Sequence, residues 1–291
     1  MAPGVKKDIA TLERSIGSYG ADRAVVAYSG GVDSTVVVAL AARSLGAGAV
    51  TAVTAVSPSY PAGELASARE VVATIGVEHR TVETHEVERD AYARNDAMRC
   101  FHCKSELYAT LGKLVTDLAQ PGTVFLAGAN ADDAKDFRPG LEAARQRGVR
   151  NPLLEAGIGK TGVRAIARRL GLAVADKPAL ACLSSRVAYG VRITPELLAR
   201  IDTAERAVRA LGFDIVRVRH LGENASIEIA TEDLVRFKTH PQLPAVFDEI
   251  RSLGWHAVSV DPDGYRSGSL NVLLGPEELG RRPGGRALRR G

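Results

Sequence analysis

Apolar residues fall in short runs separated by longer amphipathic stretches. Residues 24–28 (AVVAY), 49–56 (AVTAVTAV) and 122–127 (GTVFLA, its first Gly at the edge) have the unbroken apolar character of strands buried on both faces, and 78–83 is a shorter candidate. Helical patterns lie between them, at 34–44, about 63–75 and about 100–118. Strand alternating with helix predicts an α/β fold with a parallel, Rossmann-like sheet covered on both faces. The pattern changes near Ser185–Thr194. Beyond it come a helix (195–211), strands (214–219 and 225–230), helices (232–239 and 243–253) and a strand (256–260). That order predicts a second, smaller antiparallel α+β domain. The boundaries are 1–188 for the first domain, 189–274 for the second and 275–291 for a tail. The tail is expected to be unstructured, since it holds Pro276, Gly280, Pro283, Gly284 and Gly285.

Composition narrows the class. A chain of 291 residues suits two domains of about 150 each, and 45% apolar with 25% charged residues is ordinary globular usage. No window approaches the roughly 18 apolar residues of a membrane span. Met1 to Asp22 lacks the apolar core of a secretory signal, so a cytoplasmic protein is expected. The net charge of +4 is local: residues 281–291 hold five Arg and no acid, which leaves 33 basic against 34 acidic residues before them. The body therefore carries no nucleic-acid footprint, and a small-molecule substrate is the expected partner.

Ser29-Gly30-Gly31-Val32-Asp33-Ser34 sits where the first strand gives way to a helix. Two glycines let backbone N–H groups approach an anion, and Ser34 and Thr35 open a helix whose positive end favours phosphate. The loop lacks the Lys of a Walker A sequence. It suits a leaving pyrophosphate, with Asp33 placed to hold Mg²⁺; the plainer alternative is a βα turn with a Ser cap. Gly157-Ile158-Gly159-Lys160-Thr161 ends like a Walker A loop, but its first Gly would fall at Leu154, and Gly46-Ala47-Gly48 precedes a strand. Neither is expected to bind nucleotide. Gly128-Ala129-Asn130-Ala131-Asp132-Asp133 follows the strand at 123–127, at the sheet edge where open α/β folds bind ligands. Gly128 and Asn130 are expected near the nucleotide, with Asp132 or Asp133 aiding Mg²⁺. The alternative is a solvated acidic loop capping a helix at 139–147.

The three cysteines are Cys100, Cys103 and Cys182. A single C-x-x-C pair serves redox, zinc or iron–sulfur chemistry, and here the third Cys lies 79 residues beyond the pair. His102, beside Cys103, is awkward as a fourth zinc ligand. Three thiolates without a fourth match a 4Fe–4S cluster with one iron open. The alternative is three unrelated buried thiols.

The six-residue loop resembles that of the PP-loop ATP pyrophosphatase superfamily. Five strings sharpen this: SGGVDS, RCFHCK, GANADDAKDFRPG, DKPALACLSSR with AYG, and YRSGSLN. Together they resemble the LarE family of ATP-dependent sulfur transferases, which mature the nickel-pincer nucleotide cofactor of lactate racemase. The resemblance implies a PP-loop domain over 1–188. It implies ATP and Mg²⁺ as cofactors, and adenylation of a pyridinium dicarboxylate mononucleotide followed by conversion of the carboxylate to a thiocarboxylate. Cys182 stands where one form of the family gives up its own sulfur. Cys100 and Cys103 add the pair that, in the other form, joins it to hold a 4Fe–4S cluster. A homohexamer built through the second domain is also implied. Ala188-Tyr189-Gly190 departs from the family string, which usually carries Pro before Tyr-Gly.

Around these motifs, Arg186, Arg217, Arg219 and His220 are candidates for the substrate site. Arg217 and Arg219 are two apart on a strand, so they share a face and suit a phosphate; a solvated strand face is the alternative. Lys104 is a further phosphate candidate. Rival readings are an iron–sulfur tRNA thiolase, an amide-forming ligase such as an NAD synthetase, and a nucleotide-binding sensor.

Overall fold

The computed structural model describes residues 3–117, 122–135, 139–178 and 181–266. The expected tail at 275–291, and the motif residues Asp136, Arg138, Ala179, Leu180 and 267–271, lie outside them. In chain order the elements are α1 (Pro3–Gly17), β1 (Arg23–Ala27), α2 (Val32–Leu45), β2 (Val50–Val56), α3 (Glu64–Ile75), β3 (Glu78–Glu83), α4 (Asp90–Ala93), α5 (Arg99–Asp117), β4 (Thr123–Ala127), α6 (Pro139–Gln146), α7 (Pro152–Glu155), α8 (Lys160–Arg169), α9 (Pro195–Arg209), β5 (Val216–Leu221), β6 (Asn224–Ile229), α10 (Leu234–Lys238), α11 (Leu243–Ser252) and β7 (Ala257–Val260).

Two compact units result. The first takes Met1–Ser57, Ala62–Glu86 and Cys100–Leu180; the second takes Pro58–Pro61, Val87–Arg99 and Ala181–Gly291. A single cut at residue 188 does not describe this division, because 58–61 and 87–99 leave the first unit to pack in the second.

The first unit is the expected parallel α/β fold. Its strands lie in the order β3-β2-β1-β4, each pair parallel. Alternation along β1 supplies both faces: Ala24 and Val26 join a core with Leu12, Val36, Leu40, Val72 and Ile166, while Val25 joins Val53, Leu107, Leu111 and Ala144. The crossover direction reverses at β1, between its neighbours β2 and β4, so the carboxyl ends of β1 and β4 border the switch point where such sheets bind ligands.

The second unit holds a sheet in the order β5-β6-β7. β5 and β6 form an antiparallel hairpin, but β7 runs parallel to β6. The expected all-antiparallel domain is therefore corrected to a mixed sheet. Helices α10 and α11 between β6 and β7 form a crossover, and that returns the chain in its original direction.

Candidate active site

β1 leads into Tyr28, whose N–H donates to Val53 O at 2.8 Å and whose hydroxyl reaches Ala68 O. The loop then turns through Gly30 at φ 77°, a left-handed conformation that glycine adopts without penalty. Its hydroxyls brace it from within. Ser34 Oγ lies 3.2 Å from both Ser29 N and Ser29 Oγ, and Ser34 and Thr35 both donate to Gly31 O. Thr35 is fully buried, and its hydroxyl shapes the loop through Gly31 O.

Gly128 shows why β4 must end in glycine. A Cβ there would stand 2.7 Å from Ser34 N and 2.9 Å from Ser34 Cα. That close approach brings Asn130 to the loop, where its Nδ2 donates to Asp33 Oδ1 at 3.0 Å. Asn130 also accepts from Asp132 N and donates from its own N–H to Asp133 Oδ2. Asp132 in turn accepts from Lys160 N at 2.7 Å, and Gly159 is needed beside it, because a Cβ there would meet Asp132 Oδ2 at 2.6 Å.

Lysines that sequence reading passed over complete this site. Lys160 Nζ forms an ion pair with Asp33 Oδ2. Lys177 Nζ pairs with Glu64 Oε2 at 2.6 Å and reaches Gly30 O at 3.5 Å. The loop lacks a Walker lysine, and two cations from the C-terminal part of the same unit stand in its place. The signal for Lys160 lies in Gly157–Thr161, whose ending resembles a free-standing phosphate loop. Its value lies in opening α8 beside Asp33, 127 residues away. Lys104 sits on α5 with its Cγ where a Cβ on Gly140 would collide, at 2.9 Å. Among the described residues no group of three or more His, Cys, Asp or Glu is disposed around a common metal position. Asp33 and Asp133 are instead joined through Asn130.

The cysteines are divided between the units. Cys100, exposed, and Cys103, half-buried, lie three apart on α5 and so share one face. Cys182, half-buried, belongs to the second unit and caps the turn Leu183–Arg186. All three are free of disulfides. The Cys182 carbonyl accepts from Ser185 N, Ser185 Oγ and Arg186 Nη1 at 2.8–3.0 Å, while Leu183 N donates to Ser59 O.

Arg186 is fully buried and forms a two-point ion pair with Glu205, at 2.8 and 3.2 Å. Arg219, also buried, pairs with Glu228 at 2.7 Å and donates to Ser185 O. Arg217 on β5 lies opposite Glu228 on β6, over the Tyr265 ring. Burial, and then the nearby Arg186, lower the Arg217 guanidinium to about 10. Burial acts to raise Glu205, but Arg186, Arg209 and Arg217 outweigh it and hold that carboxyl below its usual range. The alternative of a solvated strand face does not hold: Arg217 and Arg219 are interior groups. Arg186 and Arg209 both pair with Glu205, and Arg219 pairs with Glu228. His220 stands apart, its Nδ1 accepting from Trp255 Nε1 at 2.9 Å.

A Ser-Gly-Gly-Val-Asp-Ser loop at the switch point of a β3-β2-β1-β4 parallel sheet defines a PP-loop nucleotide-binding protein, and residues 5–103 match the NAD synthase family. The more particular relationship spans nearly the whole chain. It is 34% identical over 257 residues to the pyridinium-3,5-bisthiocarboxylic acid mononucleotide synthase of Lactiplantibacillus plantarum, covering 88% of this chain and 92% of that protein. The chain thus belongs to the LarE family of PP-loop enzymes. An uncharacterized protein of Synechocystis sp. is 45% identical over 253 residues, 87% of this chain and 93% of its own. A tRNA-specific 2-thiouridylase of Beijerinckia indica is 30% identical over 193 residues, 53% of this chain and 44% of its own.

Proposed function

We propose that the protein is an ATP-dependent sulfur transferase that converts a carboxylate of a pyridinium dicarboxylate mononucleotide into a thiocarboxylate, in the synthesis of a nickel-pincer nucleotide. The observation that carries this is a PP-loop ringed by Lys160, Lys177 and Asn130 in a chain that also presents a free Cys182 on an arginine-built turn.

A carboxylate is a poor acyl donor because its oxygen leaves badly. In the first step one of its oxygens attacks the α-phosphorus of ATP and pyrophosphate departs. The amides of Ser29–Ser34 and the ammonium groups of Lys160 and Lys177 stabilise the charge that gathers on the leaving group. Asp33 and Asp133 would hold Mg²⁺, which would supply positive charge to the phosphates, and Lys160, released from Asp33, would turn to phosphate. Gly128 keeps the backbone close enough for Asn130 to orient Asp33. In the second step a hydrosulfide sulfur attacks the acyl carbon, and AMP leaves with the carboxylate oxygen. Guanidinium groups such as those of Arg186, Arg217 and Arg219 suit the phosphate of the substrate.

Three thiols outside any disulfide, two of them on one helix face, support the reading that Cys100, Cys103 and Cys182 would hold a 4Fe–4S cluster. Such a cluster, when bound, supplies an open iron that carries external sulfide and permits repeated turnover. Cys182 is common to both routes: a ligand of the cluster in this one, and the sulfur source itself in the sacrificial one.

Anaerobic purification of the parent chain and of Cys100→Ser, Cys103→Ser and Cys182→Ser, with iron and acid-labile sulfide measured in each, tests this assignment. Loss of iron from every variant supports it. A chain without iron whose Cys182 loses one sulfur in mass after reaction would show the sacrificial route instead.

A further inference from the structure

Residues 87–99 and 181–193 both lie in the second unit, and the first segment grips the second along its length. Ile193 N donates to Ala93 O at 2.8 Å, Gly190 N donates to Asn95 O at 3.1 Å, and Tyr92 Oη and Ser184 Oγ share a hydrogen bond of 2.6 Å. At the centre is Asn95, fully buried, with φ 54°. Non-glycine residues seldom take that left-handed conformation, and asparagine tolerates it best among them. Its Nδ2 donates to the carbonyls of Ala188 (2.8 Å), Val191 (3.1 Å) and Val187 (3.4 Å).

Arg99 locks this arrangement. Its Nη1 donates both to Asn95 Oδ1, at 2.5 Å, and to the Ser184 carbonyl, at 2.9 Å. Its guanidinium carbon stands 5.5 Å from the centroid of the Tyr189 ring, within cation–π range. Arg99 is buried, so a charge has been taken from water to hold a backbone carbonyl two residues from Cys182. The same residue is bonded to Cys100. The family string usually has a proline at position 188, where this chain has Ala188, and here the turn is fixed by side chains rather than by a ring.

We propose that Arg99 is a positioning residue for sulfur transfer: it holds the Cys182 turn in the conformation that delivers sulfur. This rests on the reading of Cys182 as the thiol that handles sulfur. A lysine cannot replace it fully, because a flexible ammonium neither fixes two donors in one plane, as Nη1 does, nor offers a planar group to the Tyr189 ring.

The test compares Arg99→Ala and Arg99→Lys with the parent, as full-length chains freed of iron by chelation so that all thiols report. Alkylation by iodoacetamide is followed at each cysteine by peptide mass spectrometry. ATP binding is measured on the same samples, and thiocarboxylate formation on iron-reconstituted ones. For Arg99→Ala the expected result is alkylation of Cys182 faster by about threefold or more, since the turn opens locally. Cys103 and ATP affinity stay as in the parent. Transfer falls by about tenfold or more, as expected when a reacting group is displaced by an ångström. Arg99→Lys lies between the two.

An unchanged Cys182 rate would overturn the proposal, as would an equal acceleration at Cys103, which marks general loosening. If Arg99→Ala no longer binds ATP, Arg99→Lys decides on the same readouts. Sulfur transfer retained by Cys182→Ser would overturn the underlying reading of Cys182, and the selective change in alkylation would still judge the clamp.

Discussion

At the scale of single residues, the site depends on close approach and on charge held inside the fold. Gly128→Ala would force a Cβ to within 2.7 Å of a loop nitrogen that has no room to move. ATP affinity is expected to fall at least tenfold, by titration calorimetry, while Gly148→Ala, with nothing within 4 Å of its Cβ, leaves it unchanged despite some backbone strain. His220 gives a pH dependence of known sign. Burial, and then Arg200, lower the imidazole from its usual 6.5, and the Trp255 N–H requires a neutral acceptor at Nδ1. The unfolded chain therefore binds that proton first as pH falls. Stability is complete above about 6.5 and declines below it, until the folded ring also protonates. Trp255 is the one tryptophan, so thermal melts followed by its fluorescence between about pH 8 and pH 5 read the effect directly. His220→Gln keeps an acceptor without titrating and should flatten that part of the profile. His79, lowered first by burial and then by Arg69, adds to the slope with the same sign. Motif chemistry at this scale was legible wherever a residue type has one common use: Asp33, Asn130 and Gly128 meet as the sequence suggests. Lys160 and Asn95 were not, because each gains its meaning from partners far away in sequence.

At the scale of elements, the parallel strands and the helices between them could be read from apolar runs, β3 to the residue. β7 could not be oriented that way: alternation has a period but no direction, and only the crossover through α10 and α11 makes it parallel to β6. α8 went unread because its first turn was weighed as a phosphate loop rather than as the start of a helix. The arginines of β5 show the opposite error. Alternation placed Arg217 and Arg219 on one face correctly, but only packing against α9 and β6 makes that face interior. Glu205 on α9 is the counter-charge that permits this. Glu205→Gln is expected to destabilise the fold by about 3–5 kcal/mol, the cost of leaving a buried charge without its partner, measured by urea denaturation. A loss below about 1 kcal/mol would mean that Arg186 finds another partner.

At the scale of the whole molecule, two units divide the chemistry: the first carries the PP-loop and the Cys100–Cys103 pair, the second carries Cys182 and its arginines. The interleaved segments 58–61 and 87–99 were invisible to a linear reading, since nothing in local pattern says which unit an excursion will join. Lys160→Ala should slow ATP cleavage by about tenfold to a thousandfold, as for loss of one stabilising group on a developing anion, while sparing iron content, which separates the work of the two halves. We propose a homohexamer, as the resemblance implies, and sedimentation equilibrium of the full chain would establish it or replace it with another state. The most direct measurement is product analysis. Purified protein is supplied with MgATP, sulfide and a pyridinium-3,5-dicarboxylate mononucleotide, and the products are resolved by mass spectrometry. The account predicts a product in which sulfur replaces one carboxylate oxygen, with AMP and pyrophosphate formed in equal amount. Formation of ADP, or AMP release with an amide or an unaltered carboxylate as product, would contradict it.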